Sequence, residues 1–389
     1  MDKERRKSHV SEEFLKIFKA KPEIWVRAPG RVDLMGSHTD YNLGFVLTQA
    51  IDRDTWIAAC PRKDARIRIR SLNLNGSGEF DLQNIAYDEE TPWTNYIRGV
   101  ASVLQQEGNQ LVGFDGMIHS TIPIGSGLSS SAALEVSTAV LLANLGKLEI
   151  DRVELALMCQ RAENEFVGMN CGILDQYTSM MGTAGEVLLL DCHSITSQTK
   201  PLASGIQIVI CDTRAKRDLT GSEYADRSSQ CEEGVEMLSQ YYPEINALRD
   251  VSLAQFEEHE DKFPQVIARR CRFIIEESQR VLDLAEALST GDRGNIRTLA
   301  VESYTGARDK YEIGSAEMEF MMNAMMSGPG VIGARQAGAG FGGCMVAFVE
   351  NDSVDHFVGH VAQVYQRSTG ISPHVYPVEA AAGAGLIMD

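Results

Sequence analysis

The chain passes from a strand-like run into a helix through Ile122-Pro123-Ile124-Gly125-Ser126-Gly127-Leu128-Ser129-Ser130-Ser131-Ala132-Ala133-Leu134-Glu135. Pro123 ends the strand, two glycines free the backbone, and three serines precede an Ala/Leu-rich helix that we expect to end near Gly146. Backbone N–H groups at such a helix N-terminus favour a bound phosphate. The stretch lacks the GxxxxGK[ST] pattern and its lysine, so it is not a Walker A loop. Taken alone, a glycine-containing turn with serine caps explains it without a ligand.

Composition places the chain among folded globular proteins. Its 389 residues suffice for two or three domains, and 44 % hydrophobic with 23 % charged residues excludes a disordered or fibrous chain. The net charge of −18 argues against nucleic acid and anionic membranes as partners. No apolar run approaches the roughly 18 residues that span a bilayer, and the N-terminus lacks the apolar core of a signal peptide. We therefore expect a cytoplasmic protein.

The eight cysteines contain no CxxC pair and no cluster at zinc spacing, which predicts scattered reduced thiols. Strand and helix periodicities both occur along the chain, so the fold class is α+β or α/β. The clearest strands are predicted at residues 66–70, 206–210 and 345–349, and the clearest helices after Asp151 and at residues 226–241 and 266–288. The polar residues 194–204 lack strong periodicity, which predicts two domains, 1–197 and 198–389.

Two acidic residues lie close to glycine turns in the segment Arg161–Gln176. Glu163 comes late on a predicted helix, and Asp175 follows after Gly168 and Gly172, so the two carboxylates can converge on one site. One could hold a divalent cation, and the other could orient or deprotonate a hydroxyl. Without further evidence, such a residue is more often a solvated surface acid.

Two other segments are compatible with a ligand, although neither indicates one on its own. Residues 27–42 gather two arginines, a histidine and two aspartates among glycines, which suits a polyhydroxylated ligand but is also explained by turn chemistry. Residues 333–344 hold five glycines just before a predicted buried strand. Such density permits close approach of the backbone to other backbone or to a ligand.

In their order along the chain, these segments resemble the galactokinase family of the GHMP small-molecule kinases. The family signature GRVNLIGEHTDYNGGFVLP is similar to residues 30–47, PxGxGLSSSA to 123–132, AExxFxGMxCGIMDQ to 162–176, and GAGFGGC to 338–344. Residues 93–100 fit WxNYxxGV, and Ser222-Glu223-Tyr224 with Arg227, Gln230, Cys231 and Glu232 resembles SSEYxxRRxQCEE. The resemblance covers nearly the whole chain.

The resemblance implies an α+β, two-domain GHMP kinase architecture with the active site in the interdomain cleft. It also implies ATP-dependent phosphorylation of a monosaccharide at its anomeric C1 hydroxyl, with Mg²⁺. D-galactose is the first choice of substrate, giving galactose 1-phosphate and ADP. The implied partners are the sugar and ATP, with no nucleic acid and no membrane, and the oligomeric state is left open.

Motif positions carry the family's residue roles onto this chain. Asp175 matches the catalytic aspartate and Arg31 the arginine beside it. The triphosphate loop would comprise Gly125, Ser126, Gly127, Leu128, Ser129, Ser130 and Ser131, with Trp93 in the adenine region. Magnesium would be held by Ser131 and Glu163. The sugar-pocket positions are Ser37, His38, Asp40, Gly172 and Tyr224.

The chain departs from the family pattern mainly in the sugar signature. Ser37 stands where the family has the glutamate that accepts a hydrogen bond from the sugar's C6 hydroxyl, and Asp33 stands where it has asparagine. Gln336-Ala337 replaces Met-Thr. Because Ser37 lacks the carboxylate, we expect galactose to lose affinity and Ser37→Glu to restore it. L-arabinose, which lacks C6, and galacturonate, whose carboxylate a glutamate would repel, are therefore alternative substrates.

A catalytically inactive sugar sensor is a further alternative, because sensors that resemble galactokinases can lose residues from the serine-alanine stretch. Residues 129–133 are intact here, and Arg31, Glu163 and Asp175 are all present. The sequence therefore favours an enzyme.

Overall fold

The computed structural model of the chain describes residues 2–215 and 222–388. The helices are α1 (Lys3–Phe18), α2 (Asn95–Gln106), α3 (Ser130–Gly146), α4 (Arg152–Arg161), α5 (Leu174–Met181), α6 (Ser222–Ser239), α7 (Leu253–His259), α8 (Gln265–Thr290), α9 (Arg293–Asp309), α10 (Ala316–Met326) and α11 (Val354–Thr369). The strands are β1 (Ile24–Met35), β2 (Phe45–Pro61), β3 (Arg66–Ser71), β4 (Gly76–Asp81), β5 (Phe114–Ser120), β6 (Glu186–Asp191), β7 (Thr196–Pro201), β8 (Ile206–Asp212), β9 (Val331–Gln336), β10 (Cys344–Glu350), β11 (His374–Val378) and β12 (Gly385–Leu386).

The chain divides into two compact units that are both discontinuous in sequence. The first unit comprises Met1–Arg31, Ala50–Gly182 and Ala382–Asp389, and the second comprises Val32–Gln49 and Thr183–Ala381. Residue 197 lies in β7, inside the second unit, so the polar residues 194–204 include a strand. The division into family domains at residue 197 stays a prediction.

The first unit contains a sheet with the strand order β12-β1-β2-β5-β3-β4. β3 and β5 run parallel, and β2 pairs with β5 antiparallel from Thr55↔Ser120 to Pro61↔Phe114. The predicted alternation in β3 is confirmed, because Ile67 and Ile69 are buried while their arginine neighbours are not. Helices α2, α4 and α5 all contact α3. This central helix is apolar on every side, as a helix surrounded by protein should be.

The second unit contains a four-stranded antiparallel sheet with the order β11-β8-β10-β9. Its apolar face packs on α10 and α11 through a core that includes Val209, Met321 and Phe357. A second core lies between α6, α7 and α8. In this unit the first residues of β2 pair with β6, which in turn pairs with β7. The predicted strands at 206–210 and 345–349 are confirmed as β8 and β10.

Within the part of the chain that the model describes, no helix is long and apolar enough to cross a membrane. All eight cysteines are free thiols, as their spacing predicts.

Candidate active site

The loop between β5 and α3 in the first unit has the backbone that the sequence predicts for a phosphate cradle. Gly125 and Gly127 have left-handed φ angles of 74° and 84°, and Ser129 follows with a φ of 57° at the start of α3. Ser129 makes no side-chain cap to its own helix, so the first N–H groups of α3 are not closed off by it. Ser130 and Ser131 begin the helix and are half-buried. The positive end of α3 therefore faces this loop.

The loop conformation is set by contacts with Arg31 and by a turn of its own. The Arg31 backbone N–H donates to the Leu128 carbonyl at 3.2 Å, and the Arg31 Nη1 donates to the Gly127 carbonyl at 2.7 Å. The Ser126 hydroxyl donates to the Pro123 carbonyl at 2.8 Å. These bonds use loop carbonyl oxygens, and the Ser126 backbone N–H also donates to the Pro123 carbonyl, at 3.4 Å.

Asp175 is held from two sides at the start of α5. The Arg31 Nε donates to Asp175 Oδ1 at 2.7 Å, and Arg31 Nη2 lies 2.5 Å from the same oxygen. The Ser129 hydroxyl donates to Asp175 Oδ2. The Arg31 side chain is 8 % exposed and that of Asp175 is 26 % exposed, so the carboxylate is accessible while its cation is buried. The predicted catalytic pair is thus in contact, and Ser129 links it to the phosphate loop.

Glu163 lies in a π-helical segment, Ala162–Val167, that continues α4. Its carboxylate accepts from the Gln176 amide at 2.5 Å, from the Cys171 thiol at 3.3 Å and from the Ser131 hydroxyl. Burial raises the pKa of Glu163, and repulsion from Asp175 raises it further. The structure therefore brings Ser131, Glu163 and Asp175 together, as the sequence predicts.

The side-chain oxygens of Ser131 and Glu163 fit a Mg²⁺ ion that is also bound by nucleotide phosphates. Within the described residues, no group of three or more His, Cys, Asp or Glu side chains is arranged to hold a metal ion. Ser131 and Glu163 offer two protein oxygens, and Mg²⁺ commonly takes one or two protein ligands with phosphates and water filling the remainder. The buried Glu163 would also gain a cation partner.

Glu135 is a carboxyl group at this site to which the sequence analysis gave no role. It lies on α3 with no solvent exposure and accepts from the same Gln176 amide, at 2.9 Å. Burial raises the pKa of Glu135 well above its usual value, and repulsion from Glu163 adds to the effect. A single glutamate in the apolar run Ala132–Leu142 was the available signal, because such a helix is expected to be buried on all sides.

Two other predicted residues lie in the first unit. Trp93 belongs to a short turn before α2 and is half-buried over Gly76 of β4, where a Cβ atom would stand 3.3 Å from the indole nitrogen. Gly172 lies two residues before the start of α5. The structure therefore places Gly172 in the unit that carries Asp175, whereas the other predicted sugar-pocket residues lie in the second unit.

His38 in the second unit has protein partners at both ring nitrogens. Nε2 lies 3.0 Å from the Ala339 carbonyl and Nδ1 lies 3.0 Å from the Tyr41 hydroxyl. Since a carbonyl only accepts, Nε2 carries the hydrogen and Nδ1 accepts from Tyr41. The Tyr41 hydroxyl in turn lies 2.6 Å from that of Tyr311, which lies 3.2 Å from the Cys231 sulfur. The ring is 2 % exposed, and burial lowers its pKa to about 4.

The remaining predicted sugar-pocket residues either pack against His38 or lie within two residues of it in the sequence. The Tyr224 ring lies 5.5 Å from His38 and 5.3 Å from Tyr41, measured between centroids. Asp40 is 8 % exposed and accepts from the Tyr41 backbone N–H at 2.9 Å. Ser37 is half-buried and donates its hydroxyl to Asp33. The structure thus brings His38, Tyr41 and Tyr224 together. The side chain of Ser222, quoted above in a family motif, lies outside what the structure describes.

The fold and the glycine- and serine-rich loop at the start of α3 define a GHMP kinase. The family model for the GHMP kinase N-terminal domain matches residues 95–183, and the galactokinase galactose-binding signature matches residues 12–61. The Methanococcus jannaschii mevalonate kinase structure shares the fold, with a TM-score of 0.65 at 16 % identity over 92 % of this chain and 98 % of that one.

More similar proteins narrow the class. The galactokinase of Roseiflexus sp. (strain RS-1) is 42 % identical over 98 % of this chain and 97 % of its own. The galactokinase of Clostridium acetobutylicum is 39 % identical over 97 % of this chain and 98 % of its own. Lactococcus lactis galactokinase, solved with galactose, has a TM-score of 0.93 at 32 % identity, covering 97 % of this chain and 99 % of that one. The chain belongs to the galactokinase family.

Proposed function

We propose that the protein catalyses the ATP-dependent phosphorylation of D-galactose at its C1 hydroxyl, giving galactose 1-phosphate and ADP. The observation that carries the proposal is the accessible Asp175 carboxylate, oriented by Arg31 and Ser129 next to the N-terminus of α3. Phosphoryl transfer needs a positioned acceptor hydroxyl and neutralisation of the charge that develops on the phosphoryl group. Galactokinase relatives over nearly the full chain length support galactose as the sugar.

Asp175 would accept the proton of the C1 hydroxyl as the bond to phosphorus forms. Arg31 fixes Oδ1 and Ser129 fixes Oδ2, so the carboxylate cannot rotate away from a bound hydroxyl. The buried Arg31 guanidinium and the positive end of α3 would stabilise negative charge on the transferring group. Each of these groups belongs to the first unit.

Ser131 and Glu163 are the residues that would hold Mg²⁺, which would neutralise phosphate charge when bound. The Gln176 amide and the Cys171 thiol orient the Glu163 carboxylate toward the Ser131 hydroxyl. The predicted assignment of Ser37, His38 and Asp40 to the sugar pocket is supported by the family signature over residues 12–61. The assignment of Gly172 and Tyr224 rests on the motif resemblance over residues 162–176 and 222–232. The active site in the interdomain cleft stays a prediction of the resemblance.

The alternative substrates named above are not favoured. The relatives point to galactose, and the carboxylate of Asp33 in contact with Ser37 would oppose the carboxylate of galacturonate. An inactive sensor is disfavoured because Arg31, Ser129 and Asp175 form one intact hydrogen-bonded set.

The direct test measures ADP release with ATP, Mg²⁺ and D-galactose, L-arabinose or galacturonate. We expect galactose to give the highest kcat/KM. Asp175→Asn should lower kcat by at least about a hundredfold, the usual scale for a proton-transferring side chain, and leave nucleotide binding unchanged by fluorescence titration. Asp64→Asn is the matched control, since that carboxylate is 49 % exposed and pairs with Arg62 in the same unit. A near-normal kcat in folded Asp175→Asn would contradict the proposal.

A further inference from the structure

Two of the departures from the galactokinase pattern in the sugar signature, Asp33 and Ser37, contact one another. Asp33 lies near the end of β1 with no solvent exposure, and Ser37 follows after the turn at Gly36, whose φ is 103°. The half-buried Ser37 hydroxyl donates to Asp33 Oδ2. The position where the family has asparagine therefore supplies a carboxylate to the position where the family has glutamate.

The partners of Asp33 fix the direction of the Ser37 hydroxyl. Asp33 Oδ2 also accepts from the Gly338 backbone N–H at 3.2 Å and lies 3.5 Å from Arg335 Nη1. Beside this buried guanidinium the aspartate is an acceptor, so the single proton of Ser37 points to it. The lone pairs of Ser37 Oγ take no part in this bond and can accept a hydrogen bond from another donor.

The charge of Asp33 is only partly balanced by protein donors. Its other oxygen, Oδ1, is buried and has no hydrogen-bond partner among the described residues. Arg335 is shared, because it also donates to the Leu34 carbonyl at 2.9 Å and to Ser303 at 3.0 Å and lies 3.4 Å from Glu277. A hydroxyl that donates to a carboxylate becomes a stronger acceptor through the polarisation of its oxygen.

We propose that Asp33 and Ser37 together form one charge-assisted acceptor for a sugar hydroxyl, in place of the single glutamate of the galactokinase pattern. This inference rests on the proposed function, since the hydroxyl is that of the galactose C6 group. Ser37 Oγ makes the contact with the sugar, and Asp33 acts behind it as a positioning residue. Relative to the galactokinase pattern, the carboxylate is at the buried position 33, which is hydrogen-bonded to position 37, and no longer at position 37 itself.

The two positions must then be exchanged together. Ser37→Glu alone brings a second carboxylate against a fully buried one, and two carboxylates in contact cannot both ionise without a penalty. Asp33→Asn alone keeps an acceptor for Ser37 but removes the charge. The double variant Asp33→Asn/Ser37→Glu has one carboxylate again, at the half-buried position 37. The effects of the two single substitutions should therefore not add.

The first experiment measures thermal unfolding of the wild type, both single variants and the double variant without sugar. We expect Ser37→Glu to lower Tm by at least about 1 °C, which corresponds to roughly 1 kcal/mol in a chain of 389 residues. Adding Asp33→Asn should recover most of that loss. This readout does not depend on activity. Equal Tm values for the wild type and Ser37→Glu would overturn the coupling of the two positions.

The second experiment measures kcat/KM for galactose and for L-arabinose, which lacks the C6 hydroxyl. Ser37→Ala should lower kcat/KM for galactose by about tenfold or more, through a higher KM, because one charge-assisted hydrogen bond is worth about that much. The kcat/KM for L-arabinose should stay within about twofold of the wild-type value. Ser37→Glu should lower the galactose value, and the double variant should return it to within about threefold of the wild type.

The outcomes separate the two proposals. A wild type that turns over no galactose refutes the proposed function and the sugar contact, while the Tm measurements still decide whether Asp33 and Ser37 are coupled. A wild type that is active on galactose, with Ser37→Ala lowering both sugars equally, refutes the acceptor role alone. An active Ser37→Glu that exceeds the wild type on galactose also refutes it.

Discussion

Acidification should destabilise the second unit through His38, because the folded protein holds this ring neutral. Burial lowers the pKa of His38 to about 4, and the positive charges of Arg227 and Arg335 contribute in the same direction. In the unfolded chain the ring takes up a proton near pH 6.5. The unfolded state therefore binds more protons between pH 6.5 and about 4, so the free energy of unfolding falls as the pH falls through this range. Above pH 6.5 the contribution is fully present.

The magnitude follows from the two pKa values. The gap between 6.5 and about 4 corresponds to about 3 kcal/mol in total, or about 1.4 kcal/mol for each pH unit. The ring is 2 % exposed, so screening by solvent removes little of it. A protonated His38 would also lose the hydrogen bond that Tyr41 donates to Nδ1, because both nitrogens would then be donors.

The assay is urea unfolding of the wild type and His38→Gln at several pH values from 7.5 to 4.5. Glutamine keeps a donor for the Ala339 carbonyl and an acceptor for Tyr41 but cannot titrate. Other acidic groups and His119 contribute equally to both proteins, so the difference between the two curves isolates His38. We expect the wild type to lose stability more steeply below pH 6.5. His356→Gln, at an exposed position on α11, should follow the wild type. Parallel curves for the wild type and His38→Gln would refute the reasoning.

Three further measurements test the first unit and the thiols. Ser131→Ala and Glu163→Gln should each raise the Mg²⁺ concentration at half-maximal rate by about tenfold, because each removes an oxygen ligand of a hard cation. Unchanged Mg²⁺ titrations in both variants would show that neither residue holds the metal. Chelation of the metal in the wild type should leave its Tm unchanged. Glu135→Gln should gain stability relative to the wild type as the pH rises above the ordinary pKa of glutamate, because burial raises the pKa of Glu135 and the unfolded chain releases the proton first; a Tm difference that does not change with pH would contradict the raised pKa. A thiol reagent added after denaturation without reduction should titrate eight cysteines, and fewer would reveal a disulfide.

Strongly periodic elements and the phosphate loop were predictable from the sequence because local residues determine them. Alternating isoleucines and arginines predict β3 and its half-buried face, and Pro123 with the following glycines predicts the break before α3. The contact between Arg31 and Asp175 followed only from the family motifs, since 144 residues separate the two. No local pattern relates positions so far apart.

The π-helical segment at Glu163 was not predicted. The predicted start after Asp151 is confirmed, and the spacing of Leu155, Met158, Ala162 and Phe166 is that of a continuing α-helix. In the structure α4 ends at Arg161, and the π-helical segment that follows ends at Gly168. Gly99 on α2 packs so closely that a Cβ atom there would lie 3.1 Å from Phe166 Cβ and 3.2 Å from the Ala162 carbonyl. The π-helical turn that carries Glu163 therefore packs closely against α2. A pattern read from one sequence does not show which helices pack together, so it could not predict this turn.

The sugar signature shows why departures from a pattern must be considered together in three dimensions. On the sequence alone, Ser37 lacks the carboxylate that accepts a hydrogen bond from the sugar, and Asp33 simply stands in place of an asparagine. Ser37→Glu is then expected to improve the affinity for galactose. In the structure the Ser37 hydroxyl contacts the buried Asp33 carboxylate, so the same substitution would set two carboxylates against each other. The expected sign of Ser37→Glu is thereby reversed, and improvement is predicted only when Asp33→Asn accompanies it. Measured kcat/KM values for galactose in the single and double variants decide between the two expectations, because the sequence-based one requires the single variant to gain activity.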